Sequence, residues 1–153
     1  MKVIKATKSY SKEISKLMLV DLEDHSSKFP QEMMNKFREH AQEKNILLEL
    51  ENPKMIAFLA IEERRVIGFI VGYETFSRVS MIQYITAEND DVKRGLLKMF
   101  LDECKRKKIG EVITDTFEFM SNNDFLRSNG FVLTKREKLS ENLEMLWYML
   151  DIK

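Results

Sequence analysis

The stretch RVSMIQYITAENDDVKRGLLKMFLDECKRKKIG, Arg78 to Gly110, decides how the 153-residue chain is read. Its opening run, Val79–Thr86, is apolar and β-branched and predicts a buried strand. A polar, acidic turn follows, then a helical pattern whose first turns hold Val92, Lys93, Arg94, Gly95, Leu96 and Leu97. Gly110 stops that helix. A helix entered directly from a strand leaves backbone N–H groups unpaired at its N-terminus, where the helix dipole favours an anion such as a phosphate. Gly95 removes a side chain at a point where a ligand would have to come close.

Working outward from this stretch, Lys2–Thr7 reads as an opening strand. Ile14, Leu17, Met18 and Leu22 fall at helical spacing and predict an amphipathic helix from about Tyr10 to Glu23. Asp24 to Phe29 breaks it, and Pro30 starts a second helix that carries Met33, Met34, Phe37 and Ala41 and extends to about Glu51. Met55–Ile61 and Val66–Tyr73 are two strands joined at a charged hairpin tip, Glu62 to Arg65. Gly68 and Gly72 inside the second strand predict a bulge or a close backbone approach. Beyond the central helix, Glu111–Thr116 is a further strand. Ser121 to Asp124 caps a short helix closed by Asn129-Gly130, and Phe131–Arg136 and Leu143–Leu150 are two closing strands.

Lys plus Arg and Asp plus Glu number 25 each, so the formal net charge is zero, which speaks against a dedicated nucleic-acid binder. The length suits a single domain over residues 1–153. Cys104 has no second cysteine to pair with and no cleavable hydrophobic leader is apparent, which together point to a reducing cytoplasm. No apolar run approaches the ~20 residues of a membrane-spanning helix, so no membrane partner is expected. His25, His40 and the distant Cys104 offer no metal-ligand spacing, and neither a Gly-x-Ser-x-Gly elbow nor a Walker phosphate loop is present.

The whole-chain order β-α-α-β-β-β-α-β-α-β-β resembles the GNAT superfamily of acyl-coenzyme A-dependent N-acetyltransferases. Three segments carry the resemblance: Val92-Lys93-Arg94-Gly95-Leu96-Leu97-Lys98 at the place of the family's pyrophosphate loop, Phe125-Leu126-Arg127-Ser128-Asn129-Gly130-Phe131 for its Phe-Tyr-x-x-x-Gly-Phe segment, and Asp24 to Phe29 for its acceptor-side loop. The fold implied is α/β, with a central V-splayed mixed sheet. The activity implied is transfer of an acetyl group from acetyl-CoA, as co-substrate, to a primary amine of a small molecule or peptide by direct attack on the thioester.

The resemblance also implies site residues. Ile85, Thr86 and Ala87 at the end of the central strand would offer backbone N–H groups to the oxyanion and to the cofactor arm. Lys93, Arg94, Gly95, Leu96, Leu97 and Lys98 would cradle the phosphates, and Asn122, Asn123 and Phe125 would flank the cofactor near the short helix. His25 and Phe29 belong to the acceptor side; Glu74, Tyr84 and Glu88 are the catalytic candidates, with His25 a further candidate base. Val92 replaces the family's usual Gln or Arg, and Leu97 its second small residue. Leu126 stands where many members carry a Tyr that protonates the departing thiolate, so that role passes to water or another residue. These departures keep open an alternative, a binding or regulatory module that retains the fold without turnover. A homodimer formed through the apolar terminal strand LEMLWYML is also consistent with the sequence.

Overall fold

Every second residue of the central strands is apolar on one face and its neighbour apolar on the other, so the sheet must be covered on both sides. The computed structural model describes residues 1–152. In chain order the elements are β1 (Lys2–Lys5), α1 (Ser11–Asp24), α2 (Gln31–His40), α3 (Glu43–Glu51), β2 (Met55–Glu62), β3 (Arg65–Glu74), β4 (Val79–Ala87) and α4 (Asp90–Arg106). They continue with β5 (Glu111–Phe117), α5 (Asn122–Ser128), β6 (Val132–Ser140) and β7 (Leu143–Asp151). Short 3-10 turns at Lys8–Tyr10 and Ser26–Lys28 flank α1. No helix among the described residues is long and apolar enough to cross a membrane.

The seven strands form one mixed sheet in the order β1-β2-β3-β4-β5-β7-β6. Ile56, Phe58, Ile70, Ile82 and Val112 pack beneath Leu96, Leu97 and Phe100 of α4. Ala57, Leu59, Phe69 and Val71 face the opposite way and pack with Ile14, Met18, Ala41 and Ile46 of the N-terminal helices. The helix expected to run unbroken from Pro30 to Glu51 is two helices. Gln42 is extended (φ −62°, ψ 142°), the Ser15 hydroxyl donates to the Ala41 carbonyl at 2.5 Å, and the Asn45 amide donates to the Glu39 carbonyl at 2.6 Å. Side-chain bonds to carbonyls at the break replace the helical ones and fix the corner.

All neighbouring strands are antiparallel except β4 and β5, which pair in parallel only over Val79–Ile82 and Glu111 to Thr114. Opposite Val71 and Gly72, β4 carries one extra residue, Gln83, between the paired positions Ile82 and Tyr84. This bulge bends β4 away from β5, so the sheet opens into a V from Gln83 onward. The terminal apolar strand β7 lies between β5 and β6 with both edges paired, so it has no free edge to add to a second copy.

The two glycines singled out by sequence differ from Gly95 in what surrounds them. A Cβ on Gly72 would meet the Met81 carbonyl and lie 2.7 Å from the Phe100 ring, so α4 can pack on the bulge only if position 72 has no side chain. On Gly95 a Cβ would meet only the flexible end of Met1, at 3.1 Å, and Val3 at 3.8 Å. Gly72→Ala is therefore expected to destabilise by about 1–3 kcal/mol through overpacking. Gly95→Ala is expected to gain about 0.5–1 kcal/mol from helix propensity. Urea unfolding of both variants checks the pair.

Candidate active site

The V between β4 and β5 opens onto a cavity of about 370 Å³ between the sheet and helices α1 and α2. Its floor is Gln83, Tyr84 and Ile85 of β4 with Thr114, Asp115, Thr116 and Phe117 of β5. Met18, Asp21, Leu22, His25, Phe29 and Phe37 come down from α1, the loop after it and α2. At the vertex the Thr114 hydroxyl donates to the Ile82 carbonyl at 3.0 Å, inside the last paired register of the parallel ladder.

Backbone direction follows from the ladder. Glu88 N–H donates to the Ile67 carbonyl, and Thr86 lies opposite Phe69, so antiparallel alternation turns the Thr86 and Glu88 backbone toward β3. The N–H and C=O groups of Ile85 and Ala87 then face the open side of the V. Thr86, expected beside them as a donor, spends its backbone on β3.

The backbone N–H groups expected to cradle phosphates over Lys93 to Lys98 are already engaged within the helix. The helix starts at Asp90, so the backbone N–H groups from Lys93 onward bond to carbonyls one turn back, beginning with Lys93 to Asn89 at 3.2 Å. Gly95 faces β1, and Leu96 and Leu97 are core. The exposed side chains of Arg94 and Lys98 pair with Asp91 and Asp102. The true N-terminus is capped by Asn89, whose side-chain oxygen accepts from Val92 N–H at 3.0 Å, and its first turn carries Asp90 and Asp91. These carboxylates already complement the dipole.

Lys93 is itself buried, only 9 % exposed, with its amine on the Asn122 side-chain oxygen at 2.6 Å and 5.6 Å from the centre of the Phe125 ring. Burial pulls its pKa down, and the charges of Asp90 and Asp21 pull it back up. Asn122 thus joins α5 to α4 at the edge of the cavity. Asn123 is structural: its amide donates to the carbonyls of Phe117, Glu118 and Met120, and its oxygen accepts from the Tyr148 hydroxyl at 2.8 Å. Phe125 is core, 3 % exposed.

Of the catalytic candidates, Tyr84 and His25 line the cavity, and Glu74 and Glu88 do not. Glu74 is ion-paired with Lys107 at the other end of β4, and Glu88 is ion-paired with Arg65 at the surface. Tyr84 donates its hydroxyl to Asp21 of α1. Burial first, then the charge and hydrogen bond of Asp21, push its pKa far up, so the phenol keeps its proton and is no general base. His25 and Phe29 line the cavity from the loop after α1.

Sequence reasoning missed Asp21, Glu49 and Asp115. Asp115 is the first residue of β5 past the paired register, on the face it shares with Phe117. Burial raises its pKa, its own backbone N–H lowers it, and Glu137 raises it further. Burial likewise raises Glu49, and the charge of His40 offsets part of the rise. An acid in the middle of the buried strand EVITDT was the available signal for Asp115.

No protein-family model and no curated protein sequence matches this chain. Solved structures do. The PaiA N-acetyltransferase of Thermoplasma acidophilum, solved in complex with coenzyme A, superposes with a TM-score of 0.78 at 16% identity, over 95% of this chain and 96% of that one. A GNAT-family acetyltransferase of Staphylococcus aureus gives 0.79 at 21% identity over 99% of both chains. The aminoglycoside 6'-N-acetyltransferase of Enterococcus faecium gives 0.78 at 11% identity, over 99% and 97%. The chain has the GNAT acetyltransferase fold.

The folded state holds the Asp115 proton more tightly than the unfolded chain does, so ionising this carboxyl costs folding free energy. That cost is absent below the unfolded pKa and sets in as pH rises toward the folded one. Asp115→Asn is therefore expected to raise the melting midpoint by a few degrees at pH 7 and to leave it nearly unchanged near pH 3. Scanning calorimetry at both pH values checks this.

Proposed function

We propose that the chain is an N-acyltransferase that moves an acetyl group from acetyl-CoA to a primary amine by direct attack. The observation that carries this reading is the opened V: an extended arm bearing amides can lie along β4, meeting the unpaired N–H and C=O groups of Ile85 and Ala87 as an added strand would. Its reactive end then reaches the bulge at Gln83, beside the cavity. The pantetheine arm of coenzyme A has that form. The thioester supplies an activated carbonyl, and the chain's own groups do the rest.

The fit is good along the arm and poor at the diphosphate. Asn89 consumes one N–H of the α4 terminus, and the remaining free ones belong to Asp90 and Asp91. Lys93 is the cation nearest to serve a phosphate, and it is engaged with Asn122. Donor binding in this reading rests on the arm more than on the nucleotide.

Asp115 is the proton acceptor in this scheme. It sits at the vertex on the α1–α2 face, and its burial gives it a basicity above that of an ordinary carboxylate. Tyr84, held protonated by burial and by Asp21, ties β4 to α1 and presents a hydroxyl at the cavity floor. Leu126 lines the same space without a hydroxyl, so water serves as proton donor to the leaving thiolate.

Release of free thiol from acetyl-CoA in the presence of an amine panel tests the reading. Turnover is expected, with acetyl-pantetheine serving within about tenfold of acetyl-CoA in kcat/KM, a difference of ~1.4 kcal/mol. Asp115→Asn is expected to lower kcat by about 10²-fold or more while leaving donor affinity unchanged. Asp90→Asn/Asp91→Asn is expected to tighten coenzyme A binding severalfold by calorimetry, at ~0.3–1 kcal/mol per carboxylate removed from a helix N-terminus. The acidic first turn also favours the second reading, a GNAT-fold binding module. Absence of both donor binding and thiol release across the panel would select it.

A further inference from the structure

The roof and one wall of the cavity are aromatic. Phe29 meets Phe117 edge to face with ring centres 4.8 Å apart and meets Phe37 in the same way at 5.2 Å. Phe119 stacks on Phe117 at 5.9 Å and packs on Phe29 at 5.2 Å, which fixes the rings in place. Phe29, Phe37 and Phe117 are each only half-buried and line the open space, so they offer ring surface that no protein group covers. Met18, Met33, Met120 and Met145 supply adaptable apolar wall around them.

Three carboxyls lead the polar lining. Asp21, Glu49 and Asp115 contribute them, His25 and His40 add two imidazoles, and no lysine or arginine lines the cavity among the described residues. Lys93 lies at the edge but is held on Asn122. Glu49 and Asp115 have no side-chain hydrogen-bond donor from the rest of the protein, whereas Asp21 accepts from Tyr84. Carboxyls that lack side-chain donors, as Glu49 and Asp115 do, fit a ligand that brings its own N–H groups to an apolar chamber.

We propose that the acceptor is a small primary amine with a ring-bearing apolar body and no carboxylate of its own. Its ring lies against Phe29, Phe37 and Phe117, and its amine faces Asp21 and Asp115. The assignment rests on the acyltransferase reading and names the substrate class of that site. A carboxylate on the acceptor would meet three carboxyls, Asp21, Glu49 and Asp115, with no lysine or arginine to offset them. A polyhydroxylated sugar amine would bury those of its hydroxyls that lie against the phenyl rings and methionines without a partner. At about 370 Å³ the chamber is near the small end of the ~300–1,000 Å³ usual for ligand sites, which suits one ring and a short linker.

Two measurements on the full chain test this. In the first, calorimetric titration compares 2-phenylethylamine, phenylalanine and spermidine without any donor present. 2-Phenylethylamine is expected to bind at least tenfold tighter than either. Phe29→Leu and Phe37→Leu are each expected to weaken it fivefold or more, with coenzyme A affinity unchanged. Equal or tighter binding of phenylalanine or spermidine, or an unchanged affinity in both leucine variants, overturns the assignment. In the second, thiol release from acetyl-CoA is ranked over the same amines and an aminoglycoside. Turnover led by 2-phenylethylamine supports it. Turnover with spermidine or the aminoglycoside but not with 2-phenylethylamine overturns the acceptor class and leaves the transferase intact. Binding of 2-phenylethylamine with no thiol release from any amine does the reverse.

Discussion

The Thr114 hydroxyl on the Ile82 carbonyl closes the last rung of the parallel ladder, and the cavity opens beyond it. A parallel pair that continued would bury the backbone groups of β4 and leave no cleft. The extra residue Gln83 prevents this by bending β4 after Ile82, and Gly72 on β3 is the bare position that lets Phe100 of α4 follow the bend. The cleft is therefore a consequence of one inserted residue, one missing side chain and one hydroxyl.

The site costs stability in identifiable places. Asp115 and Glu49 are carboxyls that burial penalises, offset only in part by the Asp115 backbone N–H and by the charge of His40. Lys93 is an ammonium that burial also penalises, held by a single amide oxygen. Asp115 and Glu49 line one chamber, with Lys93 at its edge on Asn122, whereas Asn123 in the wall behind is matched by three carbonyls and a phenol. Perturbed groups gathered at a cavity are the pattern expected of a site that does chemistry.

The fold was legible because hydrophobic period and turn chemistry agree along most of the chain. The two glycines in β3 marked the bulge and the close approach of α4, and the charged tip at Glu63 and Arg64 marked the hairpin. The site was less legible. A glycine in a motif-like run drew the phosphate cradle to Gly95, although Asn89-Asp90-Asp91 already reads as a cap and acidic first turn, placing the helix start five residues earlier. Glu74 and Glu88 were named as acids near the central strand, yet sequence distance says nothing of which end or which partner, and Lys107 and Arg65 claim them. Asp21 and Tyr84 meet across 63 positions, a contact that only the packing of α1 on the sheet creates.

The brevity of the parallel ladder has a mechanical meaning. Strands β1 to β4 form one leaf and β5, β7 and β6 another, and the sheet bonds that join the leaves span only Val79–Ile82. The joint is narrow: the ladders inside either leaf do not cross the gap, and beyond Ile82 no sheet bond bridges it. The tether from Tyr84 to Asp21 ties α1 to the first leaf, whereas Phe29 of the following loop leans on Phe117 of the second. The segment between them spans the gap, so whatever enters it is felt by both leaves at once.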